Sequence, residues 1–342
     1  MRVRKGKGWL RSGTTGIRDG RRMAYNSSSN QQAARHPPRV VILLATYNGG
    51  TFLSDQLQSF LAQTHPNWVL FWRDDGSSDD TVAIMEEFAS QHGRCVRVTN
   101  PPDRLGATAN FLLLLRIVYP MLSADDILAF SDQDDVWLPC KLSRGVAAME
   151  AANPDVPVLY CARLVLVDAA LRRIGESAKL KRVPAFPASL TQNIAAGCTI
   201  MLNRRAAALM ASITPPPTAF HDWWCYLLVT ATGGACVYDD VGVILYRQHG
   251  GNTVGMPPSM VRRALAAIRR GPNGFMGLMR GHLAALAAGS EVLTEEARED
   301  IALLQEALRA GIRQRLVALR SRRLRRETLL GTVLFWIWFV LG

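Results

Sequence analysis

Three carboxylates lie within four positions in the segment SDQDDVW, residues 131–137, directly after the apolar run ILAF. Asp132, Asp134 and Asp135 would repel one another and titrate as a coupled group unless a cation lay among them. Mg²⁺ and Mn²⁺ prefer oxygen ligands, and such an ion can in turn bridge the oxygens of a diphosphate. The alternative is that these acids cap a helix starting near Leu138, although one Asp would be enough for that.

A second acidic segment, RDDGSSDDT, covers residues 73–81. Gly76 suits a tight turn, and Asp79 suits the start of the next helix. Those structural roles leave Asp74 and Asp75 unexplained. A carboxylate at the end of a strand can accept the imide N–H of uracil or thymine, so this segment is a candidate for binding a pyrimidine base.

Two segments with histidines complete the set of candidate groups, AFHDWWCYLL (219–228) and YRQHGGNTVG (246–255). Asp222 stands at the predicted start of a helix. It could be a general base, which takes a proton from a hydroxyl within hydrogen-bond reach, or an ordinary N-cap. His249 precedes a glycine-rich loop and is either a neutral metal ligand or a surface histidine.

The elements that must position these residues alternate between strand and helix. The run RVVILLATYN (39–48) is continuously apolar, which predicts a strand buried on both faces. After it, helices are predicted at TFLSDQLQSFLAQ, DDTVAIMEEFASQ and ATANFLLLLRIVY, and strands at NWVLFWRDD, CVRVT and DILAF. This alternation predicts a parallel sheet covered on both sides, in which ligands bind at the carboxyl ends of the strands. The acidic segments follow such ends, so we expect them on one rim.

The pattern changes after residue 155. Short strands are predicted at VPVLYC, LVLVD, CTIMLN, GACVYD and GVILYRQH, and a helix at HDWWCYLLVTA. Residues 259–326 are rich in Ala, Leu and Arg, which predicts basic helices. The first strand is followed by neither of the two common glycine-rich phosphate loops, so a bound nucleotide would need another counter-charge for its phosphates.

The net charge of +12 is concentrated at the two ends of the chain. Residues 1–39 carry ten Lys or Arg and one Asp, and residues 309–326 carry eight Arg and no acid, so the rest of the chain is net negative. A nucleic-acid enzyme would carry its basic surface on the folded body. The distribution instead indicates basic ends beside an anionic surface such as a membrane.

The chain finishes with about fifteen mostly apolar residues after an arginine cluster, RSRRLRRETLLGTVLFWIWFVLG. As a helix this segment would span roughly 22 Å, less than the roughly 30 Å hydrocarbon core of a bilayer. We therefore expect an interfacial anchor with Trp336 and Trp338 near the lipid headgroups. The alternative is a buried C-terminal helix. The N-terminal residues lack the apolar run of a signal peptide, and the six scattered cysteines are typical of reduced cytosolic thiols.

Taken in order, the motifs resemble those of a family 2 glycosyltransferase of GT-A fold, closest to the rhamnosyltransferase-like branch. The resemblance covers roughly residues 39–255 and depends on the series ATYNGGTFLSDQLQSFLAQT, RDDGSSDDT, RLGATANF, SDQDDVW, AAGCTIMLNR, HDWW and YRQHGGNTVG. It implies an α/β, Rossmann-like fold with a mostly parallel sheet and a mixed second half, to which the basic C-terminal helices are added. Residues 1–38 are expected to be a disordered basic arm, and residues 256–342 a helical, membrane-associating region.

The resemblance also implies roles for particular residues. The donor nucleotide would be bound by Thr46, Tyr47, Asn48, Asp75, Arg104 and Asp132, with Asp75 on the pyrimidine base. The metal, Mg²⁺ or Mn²⁺, would be held by Asp134, Asp132 and His249, and Asp222 would be the catalytic base. Many relatives have Glu-Asp where this chain has His-Asp. The chain lacks the Gln-x-x-Arg-Trp motif, so processive synthesis of a long polymer is not expected.

The reaction implied is the inverting transfer of one sugar from a dTDP- or UDP-sugar to a saccharide or lipid-linked acceptor in cell-surface polysaccharide synthesis. Rhamnose is the commonest sugar of this branch. The protein is expected to be cytoplasmic and peripheral at the inner face of the cytoplasmic membrane, with no nucleic-acid partner. Two rivals stay open. One is a haloacid dehalogenase-like phosphatase, although its Asp-x-Asp motif follows the opening strand; the other is a non-catalytic membrane-associated scaffold.

Overall fold

The computed structural model describes residues 37–99, 104–250, 260–321 and 324–342, and only the backbone of residues 260–271 and 321. Most of the predicted basic arm and the boundary predicted after residue 255 lie outside the described residues, so both stay predictions. Pro37–Gly342 forms one compact unit.

The first part of this unit alternates strands and helices as predicted. Its elements are β1 (Val40–Thr46), α1 (Leu53–Leu61), β2 (Trp68–Asp74), α2 (Thr81–Gln91), β3 (Cys95–Arg97), α3 (Ala107–Val118) and β4 (Ile127–Ser131). β1 lies between β2 and β4 and runs parallel to both. This central position explains its continuous apolar sequence, because the side chains from Val40 to Leu44 are at most 1% exposed.

The second part has a mixed arrangement. Its elements are β5 (Val136–Trp137), α4 (Lys141–Ala151), β6 (Val158–Asp168), β7 (Arg173–Glu176), β8 (Met201–Asn203), α5 (Arg204–Ser212), α6 (His221–Ala231) and β9 (Ala235–Gln248). The strand order of the sheet is β3-β2-β1-β4-β8-β6-β9-β5, with β7 paired to β6. β8 is antiparallel to both β4 and β6, whereas β6 and β9 are parallel.

Two pairs of predicted strands are single strands. VPVLYC and LVLVD form β6, and GACVYD and GVILYRQH form β9. The apolar signal breaks at Arg163 in one strand and at Asp239 to Val241 in the other, and these are the positions where the register between the two strands shifts. The polar residues occupy an irregularity that lets both strands continue, so separating the runs at this point was wrong.

The helices cover both faces of the sheet. Even-numbered side chains of β1 pack with α1, α2 and α4, and the odd-numbered Val41 and Leu43 pack with α3, α5 and α6. The C-terminal helices α7 (Met260–Ala288), α8 (Glu295–Ala310), α9 (Ile312–Ser321) and α10 (Leu329–Leu341) join the second of these cores. The predicted class, an α/β fold with added C-terminal helices, is confirmed.

Helix α10 forms the C-terminal part of the segment predicted to be a membrane anchor. Phe335, Trp338 and Phe339 are buried among the C-terminal helices, and the Trp336 indole N–H donates to the carbonyl of Leu324 at 2.8 Å. The headgroup position predicted for Trp338 is therefore wrong, because that ring fills the interior between helices. What we call the outer face of α10 is apolar and 42–80% exposed, and consists of Leu329, Leu330, Val333, Ile337 and Leu341. None of the described helices combines the length and apolar character needed to cross a bilayer.

Candidate active site

The loops after β1 and β4 are held together by Gln133. Its Nε2 donates to the carbonyl of Tyr47 and its Oε1 accepts from the Tyr47 N–H, both at 2.8 Å. A Cβ on Gly49 would lie 2.2 Å from Gln133 Oε1, so glycine is required for this close approach. The sequence pattern predicts a role for the acids on either side of Gln133 but not for Gln133 itself, because its role depends on a loop 86 positions away in the chain.

Asn48 joins the β1 loop to the β2 loop. It adopts a left-handed backbone conformation with φ of 48°, which Asn tolerates better than most residues. Its N–H donates to Ser77 Oγ, and its side-chain Oδ1 accepts from the Ser78 N–H, each at 2.8 Å. Asn48 therefore lies on the predicted rim, where it fixes the shape of two loops.

Asp74 and Asp75 have different surroundings. Asp74 accepts a hydrogen bond from the Thr46 hydroxyl at 2.9 Å and from the Ser77 N–H at 2.7 Å, and so closes the turn after β2. Asp75 is 3% exposed. Its carboxylate pairs with Arg73 at 2.9 Å and accepts from the backbone N–H groups of residues 105 and 106 at 2.8 and 2.7 Å. Asp75 thus anchors the segment before α3, and its contact with a base stays a prediction.

Tyr47 and Arg104 form a stack at the same rim. The guanidinium carbon of Arg104 lies 4.0 Å from the centroid of the Tyr47 ring, a distance typical of a cation–π contact. Arg104 is exposed and directly precedes the segment that Asp75 holds. The stack gives the rim a flat aromatic and cationic surface of the kind that suits a nucleotide.

The three acids after β4 lie close together, as predicted, but their surroundings differ. Burial, followed by the charges of Asp134 and Asp222, raises the pKa of Asp132 to about 7. Asp134 Oδ2 lies 2.8 Å from His249 Nε2. Asp135 is fully buried, accepts from the Arg247 N–H at 3.1 Å, and has its pKa raised by burial and by the other two acids. Of the predicted metal ligands, Asp134 and His249 are thus in direct contact, and Asp132 interacts with Asp134 through its charge.

Cys198 and Lys141 lie beside this cluster. One oxygen each of Asp132 and Asp135 and the sulfur of Cys198 lie within 4.8 Å of one another. The Lys141 ammonium is buried 3.4 Å from the centroid of the Trp137 ring, and burial lowers its pKa to about 7 despite nearby negative groups. Asp135 Oδ2 has no hydrogen-bond partner among the described residues. The cluster is therefore rich in oxygen donors and short of positive charge.

The acids do not cap the following helix. α4 begins at Lys141 and its N-cap position is Cys140, with β5 between the acids and the helix. The capping alternative to metal binding is therefore wrong.

Arg247 is the second residue that the sequence argument missed. Its side chain is 2% exposed, and its guanidinium donates to the carbonyl of Asp134 at 2.9 Å and to the carboxylate of Asp55 at 2.8 Å. The same group lies 4.4 Å from the centroid of the Phe52 ring. Arg247 thereby fixes the backbone at Asp134 and joins the end of β9 to α1. It stands two positions before His249, within a segment already singled out for its histidine.

Asp222 lies in the first turn of α6, whose N-cap is Phe220 rather than Asp222. Its Oδ1 accepts from the Trp223 N–H at 2.6 Å. Burial raises the pKa of Asp222 to about 6, although hydrogen bonds from Asn193 and Gly197 act in the opposite direction. Its charge in turn raises the pKa of Asp132, so Asp222 lies close enough to the acid cluster to interact with it electrostatically. The simple N-cap interpretation is therefore wrong.

The neighbouring His221 has a structural position. Its ring is stacked on Phe111 with 4.3 Å between centroids and meets Phe130 edge-on at 5.2 Å. Burial lowers its pKa to about 4, so the imidazole is neutral at physiological pH. His221 fills the space between α6 and α3, and the ionisable group directed at the rim is Asp222.

Comparison with known proteins finds similarity to glycosyltransferases. Residues 41–206 match the model of glycosyl transferase family 2. The dTDP-rhamnosyl transferase RfbG of Shigella flexneri is 25% identical over 221 residues, which are 62% of this chain and 73% of RfbG. An Escherichia coli protein, UDP-Glc:alpha-D-GlcNAc-diphosphoundecaprenol beta-1,3-glucosyltransferase WfgD, is 32% identical over 114 residues, 33% of this chain and 42% of WfgD.

Among solved structures, S. aureus TarS in complex with UDP-GlcNAc superimposes with a TM-score of 0.55 at 14% identity, covering 88% of this chain and 81% of that one. The complex of TarS with UDP gives a TM-score of 0.52. This likeness supports the GT-A fold. Residues 41–206 are therefore similar to glycosyl transferase family 2, and the fold is of the GT-A type, as the resemblance of the motifs predicts.

Proposed function

We propose that the protein is an inverting glycosyltransferase that moves one sugar from a nucleoside diphosphate to an acceptor hydroxyl. The observation that carries this proposal is the meeting of Asp222 with the acids after β4. Asp222 comes from the second half of the fold and acts electrostatically on Asp132. A base and a site for the leaving diphosphate then face the same sugar from two sides. A single displacement needs only these two parts, and it inverts the anomeric carbon.

The acid cluster fits a hard divalent cation. The charge of Asp134 raises the pKa of both Asp132 and Asp135, and carboxylates this close are stabilised when a cation lies among them. Asp135 Oδ2 has no hydrogen-bond partner among the described residues. We propose that Asp132, Asp134 and His249 hold Mg²⁺ or Mn²⁺. When bound, the ion would supply positive charge for the oxygens of the leaving diphosphate.

Asp222 is the proposed general base. With a pKa of about 6 it is ionised at neutral pH, yet it is more basic than an ordinary aspartate, which suits proton transfer near pH 7. It accepts the proton of the acceptor hydroxyl while that oxygen forms its bond to the anomeric carbon. The bond to the diphosphate breaks in the same step. The hydrogen bonds to Trp223, Asn193 and Gly197 orient the carboxylate for this transfer.

We propose a dTDP- or UDP-sugar as the donor, and dTDP-rhamnose is the first to test. The stack of Tyr47 and Arg104 offers a surface for the nucleotide. Asp75 lies at the same rim, because Ser78, three residues later in the chain, donates a hydrogen bond to Asn48 Oδ1. RfbG is named as a dTDP-rhamnosyl transferase, and TarS binds UDP-GlcNAc, so both pyrimidine diphosphates have support among similar proteins.

The acceptor in this proposal is a saccharide carried on a lipid at the cytoplasmic face of the membrane, in cell-surface polysaccharide synthesis. WfgD is named for an acceptor linked to diphosphoundecaprenol. The outer face of α10 would lie on the bilayer, with the exposed Arg313 and Arg320 on anionic headgroups. The protein would then be peripheral at the inner face of the cytoplasmic membrane.

The first test is nucleotide binding by the full chain in titration calorimetry. We expect dTDP or UDP to bind about tenfold or more tightly with Mn²⁺ or Mg²⁺ than with a chelator, which corresponds to at least about 1.4 kcal/mol. Asp134→Ala should abolish that difference. Asp155→Ala, at a side chain that is 82% exposed, serves as the control and should keep it. Equal affinity with metal and with chelator would rule out a metal-bridged diphosphate.

A further inference from the structure

A cavity of about 780 Å³ lies between the segment 182–194 and the C-terminal helices. Its other walls are Tyr226 of α6, Glu296 and Asp300 of α8, and the residues 325–327 before α10. This volume falls within the roughly 300–1,000 Å³ typical of small-molecule sites. None of the donor, metal or base residues described above lines it.

The cavity lies next to the proposed base. Tyr226 follows Asp222 by four positions in α6, so the two side chains lie on the same face of the helix, about one turn apart. Gln192 and Ile194 line the cavity, and the side chain of Asn193 between them hydrogen-bonds Asp222. The cavity lining is therefore separated from the Asp222 carboxylate by about one helical turn and by the side chain of Asn193.

The lining offers groups that are ready to bind. Tyr226 is 3% exposed, and its hydroxyl forms no hydrogen bond with any other described residue. This hydroxyl belongs to the cavity lining, where it can exchange a hydrogen bond with a ligand atom. The side chains of Arg182 and Arg325 are exposed and form neither an ion pair nor a side-chain hydrogen bond within the described part of the chain.

The chemistry of the lining is mixed. Carboxylates of Glu296 and Glu327 and the Tyr226 hydroxyl can bind the hydroxyl groups of a sugar, and the ring of Phe186 offers it an apolar face. Guanidinium groups are the side chains best suited to phosphate oxygens, which fits Arg182 and Arg325. A plain anion would meet the carboxylates as well, so the lining favours a ligand with both hydroxyl and phosphate groups.

The position of the cavity also favours a lipid on that ligand. Glu327 lines the cavity, and the outer face of α10 begins two residues later at Leu329. A chain leaving the phosphates near Arg325 would therefore meet exposed apolar side chains directly.

We propose that this cavity binds the acceptor, a saccharide linked through a diphosphate to a lipid. The inference rests on the proposed function, because only a transferase with Asp222 as its base needs an acceptor here. In this arrangement the saccharide lies against Tyr226 with its reacting hydroxyl toward Asp222. The diphosphate lies at Arg182 and Arg325, and the lipid follows the outer face of α10.

The test uses the full chain and a short-chain probe, N-acetylglucosamine joined through a diphosphate to farnesol. Calorimetry is carried out with dTDP or UDP and Mn²⁺ present. Tyr226→Phe removes only a hydroxyl that has no internal partner, so it should weaken probe binding about three- to tenfold without lowering the melting temperature. The double variant Arg182→Ala/Arg325→Ala should weaken it about ten- to a hundredfold. Tyr119→Phe, in the segment after α3 and away from the cavity lining, is the matched control.

Three outcomes would overturn the proposal. One is a probe that does not bind the unsubstituted protein, and another is probe binding that the cavity variants leave unchanged. The third is inorganic pyrophosphate that binds as tightly as the probe with the same dependence on Arg182 and Arg325, which would make the cavity a simple anion site. Nucleotide affinity measured on the same preparation separates the two levels of inference. If dTDP and UDP do not bind, the proposed function fails; if they bind and the cavity variants have no effect, only the acceptor site fails.

Discussion

Replacing Asp222 by Asn exchanges one carboxylate oxygen for an amide nitrogen in the first turn of α6. The remaining Oδ1 can still accept from the Trp223 N–H, which now lies 2.6 Å away. Burial raises the pKa of Asp222 from 3.8 to about 6. A group with a raised pKa contributes most stability below its unfolded pKa, and that contribution is lost as the pH rises through about 6.

The difference between the folded and unfolded pKa of Asp222 sets the size of its effect on the free energy of unfolding. The difference between 3.8 and about 6 corresponds to a cost on the order of 3 kcal/mol at most for keeping the buried carboxylate ionised at neutral pH. Asn carries no charge and avoids that cost. We therefore expect Asp222→Asn to melt at the same temperature as the unsubstituted protein or higher at pH 7.5, with the difference shrinking as the pH falls below 6.

The effect on turnover should be opposite. An amide cannot accept the proton of the acceptor hydroxyl, and general-base catalysis typically contributes about 10²- to 10⁴-fold, or roughly 3–5 kcal/mol of barrier. In the unsubstituted protein, the rate should rise with pH through about 6 as Asp222 ionises. The variant should lose both the rate and this rising limb.

The assay measures melting temperature, nucleotide affinity and sugar-transfer rate on one preparation of each protein. Asp155→Asn, at an exposed side chain, controls for the loss of a negative charge. Turnover close to that of the unsubstituted protein would refute the assignment of Asp222 as the base and turn attention to Asp135 or His221. A fall in melting temperature with unchanged turnover would show that Asp222 is structural.

Two further predictions concern residues outside the base. Arg247→Lys keeps the positive charge but loses the planar guanidinium group that hydrogen-bonds Asp134 and Asp55. It should lower the free energy of unfolding by about 2–4 kcal/mol and weaken the metal-dependent part of nucleotide binding. Denaturant unfolding checks this, with the exposed Arg205→Lys as the control. Leu330→Gln/Ile337→Gln, at side chains 66% and 48% exposed, should reduce binding to anionic vesicles about tenfold or more without lowering the melting temperature. The control is Ile174→Gln, at a side chain also 48% exposed; equal vesicle binding by all three proteins would contradict a membrane contact through α10.

The sequence predicted the first half of the fold well because its signals are local. Each strand from β1 to β4 is a short apolar run, and each intervening helix shows its own periodicity. Acids placed directly after strands could be assigned to one rim by the general behaviour of parallel sheets. The grouping of Asp132, Asp134 and His249 followed from the resemblance to a family; the structure places Asp134 against His249 and gives Asp132 a charge interaction with Asp134.

The parts that the sequence did not predict depend on distant partners. Gln133 and Arg247 act through contacts with residues 86 and 113 positions away, for which no local pattern exists. The buried Trp338 of the C-terminal helix shows the same limit. The sequence of an apolar helix has the same pattern whether lipid or protein covers that helix. Trp338 is interior because α7 and α9 pack against α10.

The packing of α6 limits where the protein can be shortened and which helices can be exchanged. Ten of its eleven residues are buried, and the rings of Trp223 and Trp224 both pack on His282 of α7, at 5.2 and 6.0 Å. A shortened protein that ended after β9 would leave these large apolar rings in water beside Asp222, the proposed base. Exchanging the C-terminal helices with those of a relative would therefore require the matching surface of α6 to be exchanged with them. Because Trp223 directly follows Asp222, any change in this packing would also move the proposed base.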